Sequence, residues 1–93
     1  HARLTDIPPA TMAAIGQVLP RIARGVLAAT GAEGLNLHQA NGECAGQVVP
    51  HAHFHLIPRR RADGIRIAGA SGTYGPGELD AWRKKIAAAV ASA

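Results

Sequence analysis

The 93-residue chain shows two kinds of hydrophobic spacing: a recurrence every three or four residues, and an alternation at every second residue. Between residues 8 and 30, apolar side chains recur every three or four positions, which predicts one long helix with a single apolar face. Pro8 and Pro9 suit its first turn, and Gly31 suits a C-cap. Pro20 should kink the helix because it has no N–H to donate. The apolar positions of this helix are Met12, Ile15, Val18, Leu19, Ile22, Val26 and Leu27.

Alternating apolar positions predict two strands in the middle of the chain. The first strand covers residues 34–40, with Leu35 and Leu37 on one face and Asn36 and His38 on the other. The second covers residues 48–57. Because a short glycine-containing loop separates them, the two strands should pair in an antiparallel manner.

Helical spacing returns near the C-terminus. A helix over about 77–91 carries acidic residues near its start and lysines farther on, the order that the helix dipole favours. Trp82 belongs to its buried stripe, and a short strand is expected around residues 65–67. The predicted fold class is therefore α+β: an antiparallel sheet covered by a long helix and a C-terminal helix, all within one domain spanning residues 1–93.

Composition narrows the setting in which this domain works. The formal charge of +4 and the basic run of Arg59, Arg60 and Arg61 fit a solvated face, and they predict no specific nucleic-acid partner. Cys44 is the only cysteine, which suits a reducing, cytoplasmic location. No apolar run is long enough to cross a bilayer. The chain begins with His1 rather than Met, so we expect it to be a fragment.

Three histidines alternate along the second predicted strand. His51, His53 and His55 should share one face, because successive side chains of a strand point in opposite directions. Spacing alone leaves three readings open. The imidazoles could ligate a metal such as zinc, they could act as nucleophile and acid–base groups on an anion, or they could be exposed without a function.

The flanking residues distinguish these alternatives. The segment "AGQVVPHAHFHLIPR" resembles the signature of the histidine triad (HIT) family of nucleotide hydrolases and transferases. Its centre, "HAHFHLI", matches the family pattern of three histidines separated and followed by hydrophobic residues. The preceding "AGQ" matches the small-Gly-Gln turn of the family, and "PR" matches the ending common in bacterial members.

The resemblance implies a site and a chemistry. His53 matches the nucleophile that attacks the α-phosphorus of a nucleotide, and His51 and His55 match the flanking histidines that orient it and bind phosphate oxygens. Implied substrates are diadenosine polyphosphates or adenylated amines, and the reaction centre requires no metal or other cofactor. A catalytically weak nucleotide-binding or protein-interaction module is the alternative. The candidate substrate-binding residues are Asn41, Gly46, Gln47 and Val48.

Some positions depart from the family pattern. Val48 stands where some branches have Ser or Thr, and Ala40 where many have Asn or Gln. His38 is expected to be a strand-face residue rather than a fourth catalytic histidine.

The resemblance also implies that the chain is the C-terminal portion of a HIT domain, without most of the nucleoside pocket. Family members are usually homodimers, and residues 35–39 are expected to pair across such an interface.

Overall fold

The computed structural model describes residues 1–64 and 75–93, so the strand expected around residues 65–67 lies outside it. Helix α1 covers Pro9–Thr30, strand β1 Gly34–His38, strand β2 His55–Arg59, and helix α2 Glu78–Ser92. Two single turns of 3-10 helix precede α1 and follow β1, at Leu4–Asp6 and Glu43–Ala45. This is the α+β arrangement that the sequence predicted.

Helix α1 begins and ends where the sequence predicted. Pro8 is in an extended conformation before the first turn, and Gly31 closes the helix with a positive φ of 66°. Its N–H donates to the carbonyl of Leu27 over 2.9 Å, which satisfies one of the carbonyls left free at the helix end. The helix runs without interruption through Pro20, and the kink expected there stays a prediction.

Strands β1 and β2 pair in the predicted antiparallel direction. The register places Leu37 opposite Leu56 and His38 opposite His55. Directly opposed side chains of an antiparallel pair project to the same face, so His38 and His55 lie together while the two leucines lie on the other face.

The predicted bounds of both strands need correction. The first strand ends at His38 instead of residue 40, and the second covers His55–Arg59 instead of residues 48–57. The reason is the register: His55 is paired with the last residue of β1, so residues 48–54 have no continuing ladder partner in the described part of the chain. The connection between the strands is therefore much longer than the short loop expected, covering residues 39–54.

The two helices pack closely at one glycine. Gly25 is buried, and a Cβ atom there would stand 2.4 Å from the Cγ2 atom of Val90 and 2.7 Å from its Cα. Arg21 crosses the same contact and donates from Nε to the carbonyl of Val90 over 3.1 Å. Of the apolar residues in 1–64 and 75–93, Val26 and Ala29 are the ones that are buried, with 8% and 4% of their surface exposed. The core is therefore small and depends on this close approach.

The basic run at the end of β2 is engaged in local contacts. Arg59 forms a 2.8 Å ion pair with Asp63, whose hydrogen bond raises the pKa of the Arg59 guanidinium. Arg60 donates to carbonyls at the C-terminal end of α1, and Arg61 lies 3.4 Å from Glu33. Arg60 therefore ties the end of β2 to the C-terminal end of α1, while Arg61 reaches the residues between α1 and β1. Among the described helices, none has the length and hydrophobicity that crossing a membrane requires.

Two glycine substitutions on α1 test the helix contact. Gly25→Ala should destabilise the protein by about 1–3 kcal/mol, because the new methyl group overlaps Val90. Gly16→Ala is the matched control: nothing lies within 4 Å of the added Cβ, so it should stabilise the protein by up to about 1 kcal/mol. Urea unfolding measures both, and changes of the same sign would contradict the packing described.

Candidate active site

The triad histidines share an exposed face although only one of them lies in a strand. His51, His53 and His55 are exposed, whereas the residues that alternate with them are half-buried. The alternation predicted from sequence is thus confirmed, but His51 and His53 precede β2 and belong to the connection. The half-buried residues are Ala52, Phe54 and Leu56.

Backbone contacts position the segment that leads into β2. The N–H of Ala52 donates to the carbonyl of His1 over 2.7 Å, so the N-terminal residue acts as a partner for this extended stretch. Phe54 and Ile15 line one cavity of about 210 Å³, which places the apolar side of the segment against α1. His51 also borders this cavity, whereas His53 and His55 do not line it.

The imidazole rings of His53, His55 and His38 form a connected group. The ring centroids of His53 and His55 are 4.7 Å apart and nearly perpendicular, at 78°. His38 joins from the neighbouring strand, with its centroid 5.9 Å from that of His55. The sequence predicted His38 to be a strand-face residue rather than a fourth catalytic histidine. The signal that could have revealed its proximity is the register of the two strands, which the spacing of residues does not specify.

A backbone carbonyl determines the tautomer of the central histidine. Nδ1 of His53 lies 2.7 Å from the carbonyl oxygen of His51. A carbonyl oxygen only accepts hydrogen bonds, so Nδ1 must carry the proton. In the neutral ring, Nε2 then keeps its lone pair and is the nitrogen available for nucleophilic attack.

Gln47 holds the loop before the triad in shape. The residue is buried, with only 8% of its surface exposed. The Oε1 atom accepts from the N–H of Gly42 over 2.7 Å, and Nε2 donates to the carbonyl of Ala2. Gly42 and Gly46 make the turn possible with φ values of 89° and 94°, which most other residues adopt only with strain. Both ends of the Gln47 amide are therefore used within the protein.

Asn41 has a similar bracing role. Its Oδ1 atom accepts from the N–H of Leu4 over 2.6 Å and from Nε2 of Gln39 over 2.9 Å. Its Nδ2 atom donates to Oε1 of Gln39 over 2.5 Å. The side chain thus joins the N-terminal turn to the end of β1. Direct contact of Asn41 or Gln47 with a substrate stays a prediction.

An open cavity of about 470 Å³ lies beside this loop. It brings together three of the four predicted substrate-binding residues, Gly46, Gln47 and Val48, whereas Asn41 is not in its lining. Val48 is 91% exposed. The remaining lining residues are Ala2, Arg3, Gly42, Glu43 and Pro50.

The exposed ring nitrogens bear on which ligands the histidines could bind. Within residues 1–64 and 75–93, no three or more His, Cys, Asp or Glu side chains form a group that could hold a metal ion. Cys44 is exposed. The arrangement instead offers exposed ring nitrogens on one surface, which suits the binding of an anion.

Comparison with known proteins identifies the family. A HIT domain profile matches residues 1–62, and the chain belongs to the HIT domain family. Its sequence is 42% identical over 63 residues to adenylylsulfatase HINT3 of Arabidopsis thaliana, covering 68% of this chain and 32% of the relative. It is 34% identical over 74 residues to the adenosine 5′-monophosphoramidase hnt1 of Schizosaccharomyces pombe, covering 78% of this chain and 55% of the relative.

Comparison of structures agrees with this assignment. The crystal structure of a Hit-like protein involved in cell-cycle regulation from Bartonella henselae matches with a TM-score of 0.80 and 32% identity. The match covers 95% of this chain and 62% of the Bartonella chain. The chain thus spans about a third to two thirds of the length of these relatives.

Substitution of Gln47 tests whether its hydrogen bonds to Gly42 and Ala2 stabilise the loop before the triad. Gln47→Glu has nearly the same shape but puts a carboxylate oxygen against the carbonyl of Ala2, so it should cost about 1–3 kcal/mol of folding stability at neutral pH. Glu43→Gln, an exposed change in the same loop, should alter stability by less than about 0.5 kcal/mol. Chemical denaturation measures the free energy of unfolding of both variants. Equal stability of the two would contradict a stabilising role of the Gln47 hydrogen bonds.

Proposed function

We propose that the protein is a nucleotide hydrolase or transferase that acts at the α-phosphate through a nucleotidyl-histidine intermediate on His53. The supporting observation is the 2.7 Å contact between Nδ1 of His53 and the carbonyl of His51. In the neutral ring, this contact leaves Nε2 without a proton, and the residue is exposed. A neutral imidazole with a free lone pair is a good nucleophile near neutral pH.

The reaction has two displacements. Nε2 of His53 forms a bond to the α-phosphorus while the bond from phosphorus to the leaving group breaks, and the leaving group departs with the electron pair and acquires a proton. Water, or another acceptor in a transfer reaction, then attacks the same phosphorus. The nitrogen–phosphorus bond breaks, which releases the nucleoside monophosphate or its transferred product and regenerates His53. No step is routed through a metal.

The flanking histidines have supporting roles in this proposal. No described residue forms a hydrogen bond with the ring nitrogens of His51 or His55, so both rings are available to donate to phosphate oxygens. His55 also contacts the edge of the His53 ring and restricts its rotation. Donors that are already in place around the phosphorus stabilise the charge that develops in the transition state.

The names of the relatives support a nucleotide substrate. One is an adenylylsulfatase and the other an adenosine 5′-monophosphoramidase. The names share an adenosine nucleotide, and they differ in the group attached to its phosphate. We propose that the substrate of this protein is likewise adenylated, either a diadenosine polyphosphate or an adenylated amine. We place the protein in the cytoplasm, since a lone, exposed Cys44 suits a reducing compartment.

One set of observations favours a second candidate, a weakly catalytic nucleotide-binding or protein-interaction module. Gln47 and Asn41 direct their amide groups to backbone and side-chain partners in the loop, and Val48 has no hydroxyl group to offer a leaving group. A site with these features could bind a nucleotide and turn it over slowly. The adduct experiment below distinguishes the two functions.

We also propose that the protein is a homodimer joined through β1. Among the described residues, β1 pairs on one side only, with β2, so its other edge carries unpaired backbone groups. Leu37 in this strand is 55% exposed. An unpaired edge with an exposed apolar side chain favours pairing with a second copy of the same strand.

Replacement of the triad histidines tests the nucleophile. His53→Ala should lower turnover of an adenylated substrate by at least about 10³-fold, because no other group forms the covalent bond. His51→Asn and His55→Asn should cost about 10²-fold, as expected for loss of one charge-stabilising donor. Rapid quenching and mass spectrometry should detect a nucleotidyl adduct on His53 in the wild type.

Two outcomes would contradict parts of this proposal. Full turnover by His53→Ala would show that another residue is the nucleophile. Nucleotide binding without any adduct or turnover in the wild type would favour the binding module instead.

Substitution of Leu37 tests the dimer. Leu37→Asp should place like charges on the two paired strands and shift the protein to a monomer in analytical ultracentrifugation. Val18→Asp is the matched control, because Val18 is an exposed apolar residue of similar accessibility, 49%, on helix α1. A wild-type monomer at all concentrations, or equal effects of the two variants, would contradict a β1 interface.

A further inference from the structure

We infer that His38 is a specificity-determining residue that binds a second anionic group of the substrate, beyond the phosphate that reacts at His53. The inference rests on the proposed function, because it assumes that the histidine face receives an adenylated substrate. It extends that function by naming the chemistry of the leaving group: a further phosphate or a sulfate, rather than a neutral amine.

The position of His38 follows from the register of the sheet. It stands directly opposite His55 in the antiparallel pair, and its ring centroid lies 5.9 Å from that of His55. His55 in turn lies 4.7 Å from His53. The imidazole row therefore continues from the proposed nucleophile across to β1. Since His38 and His55 both belong to paired strands, their separation is held by the ladder and not by a loop.

The ring of His38 is available to a ligand. It is half-buried, which limits its movement, yet none of the described residues forms a hydrogen bond with its nitrogens. An imidazole offers one N–H donor when neutral and two when protonated. A partly immobilised ring with an unused donor loses little conformational freedom when it binds an anion.

The electrostatic setting favours an anion over a cation. Neither β1 nor β2 contains an acidic residue, since their sequences are GLNLH and HLIPR. The charged side chain on these strands is Arg59, which is paired with Asp63 and donates to Asn36. An anionic group that reaches His38 and His55 therefore meets no carboxylate from the two strands that carry them.

A pair of substrates and two variants test this role. Adenosine 5′-phosphosulfate carries an anionic second group, and adenosine 5′-phosphoramidate carries a neutral one. His38→Phe keeps an aromatic ring but removes the donor, and it should lower kcat/KM for the phosphosulfate about tenfold, mainly through KM. The phosphoramidate should change less than about twofold. His38→Gln, which restores an N–H donor, should recover most of the loss.

The outcomes separate this inference from the proposed function. If the wild type cleaves both substrates and His38→Phe slows both equally, or neither, His38 is structural and the inference is overturned. If the wild type cleaves neither and forms no adduct, the proposed function fails and the inference fails with it. Circular dichroism checks the fold of each variant.

A measurement on the wild type alone keeps the inference testable should His38→Phe fail to fold. Binding of ADP should shift the Cε1–H resonance of His38, because ADP has a second phosphate, whereas AMP should shift mainly the resonances of the triad. Identical responses of His38 to the two nucleotides at saturation would overturn the role proposed for it.

Discussion

The antiparallel register of β1 and β2 is the constraint on which the site depends. It sets His38 opposite His55 and places the leucine pair, Leu37 and Leu56, on the other face. A slip of one residue would move every side chain of a strand to the opposite face. The histidine surface would then lose His55 and gain an apolar neighbour, so the same local sequence would no longer form a continuous row of imidazoles.

The connection between the strands carries most of the candidate chemistry, although it has little regular structure. Two buried or half-buried amide side chains, Gln47 and Asn41, satisfy backbone groups there and link the connection to the first residues of the chain. Buried polar groups that are fully paired give a loop a single conformation. This explains how His51 and His53 keep the alternation of a strand without the continuous ladder that defines one.

Local patterns predicted the parts of the fold that depend on local interactions. Helix α1 was predicted closely because its start, its apolar spacing and its capping glycine all lie within the helix or beside it. The strand bounds were wrong because pairing depends on a partner distant in sequence. The same limit applies to the site: motif resemblance indicated His51, His53 and His55, but neither the orientation of the Gln47 amide nor the proximity of His38 can be derived without the register and the loop contacts.

The hydrogen bond to His53 comes from the main chain, since the acceptor is the peptide carbonyl of His51. Every amino acid at position 51 supplies that same oxygen. The protonation pattern of the central ring is therefore insensitive to the side chain encoded there, provided that the backbone keeps its path. Substitutions at position 51 would change the charge and hydrogen-bonding capacity of the histidine face while leaving the reactive tautomer of His53 in place. The tautomer of His53 and the charge stabilisation by the side chain at position 51 can therefore evolve separately.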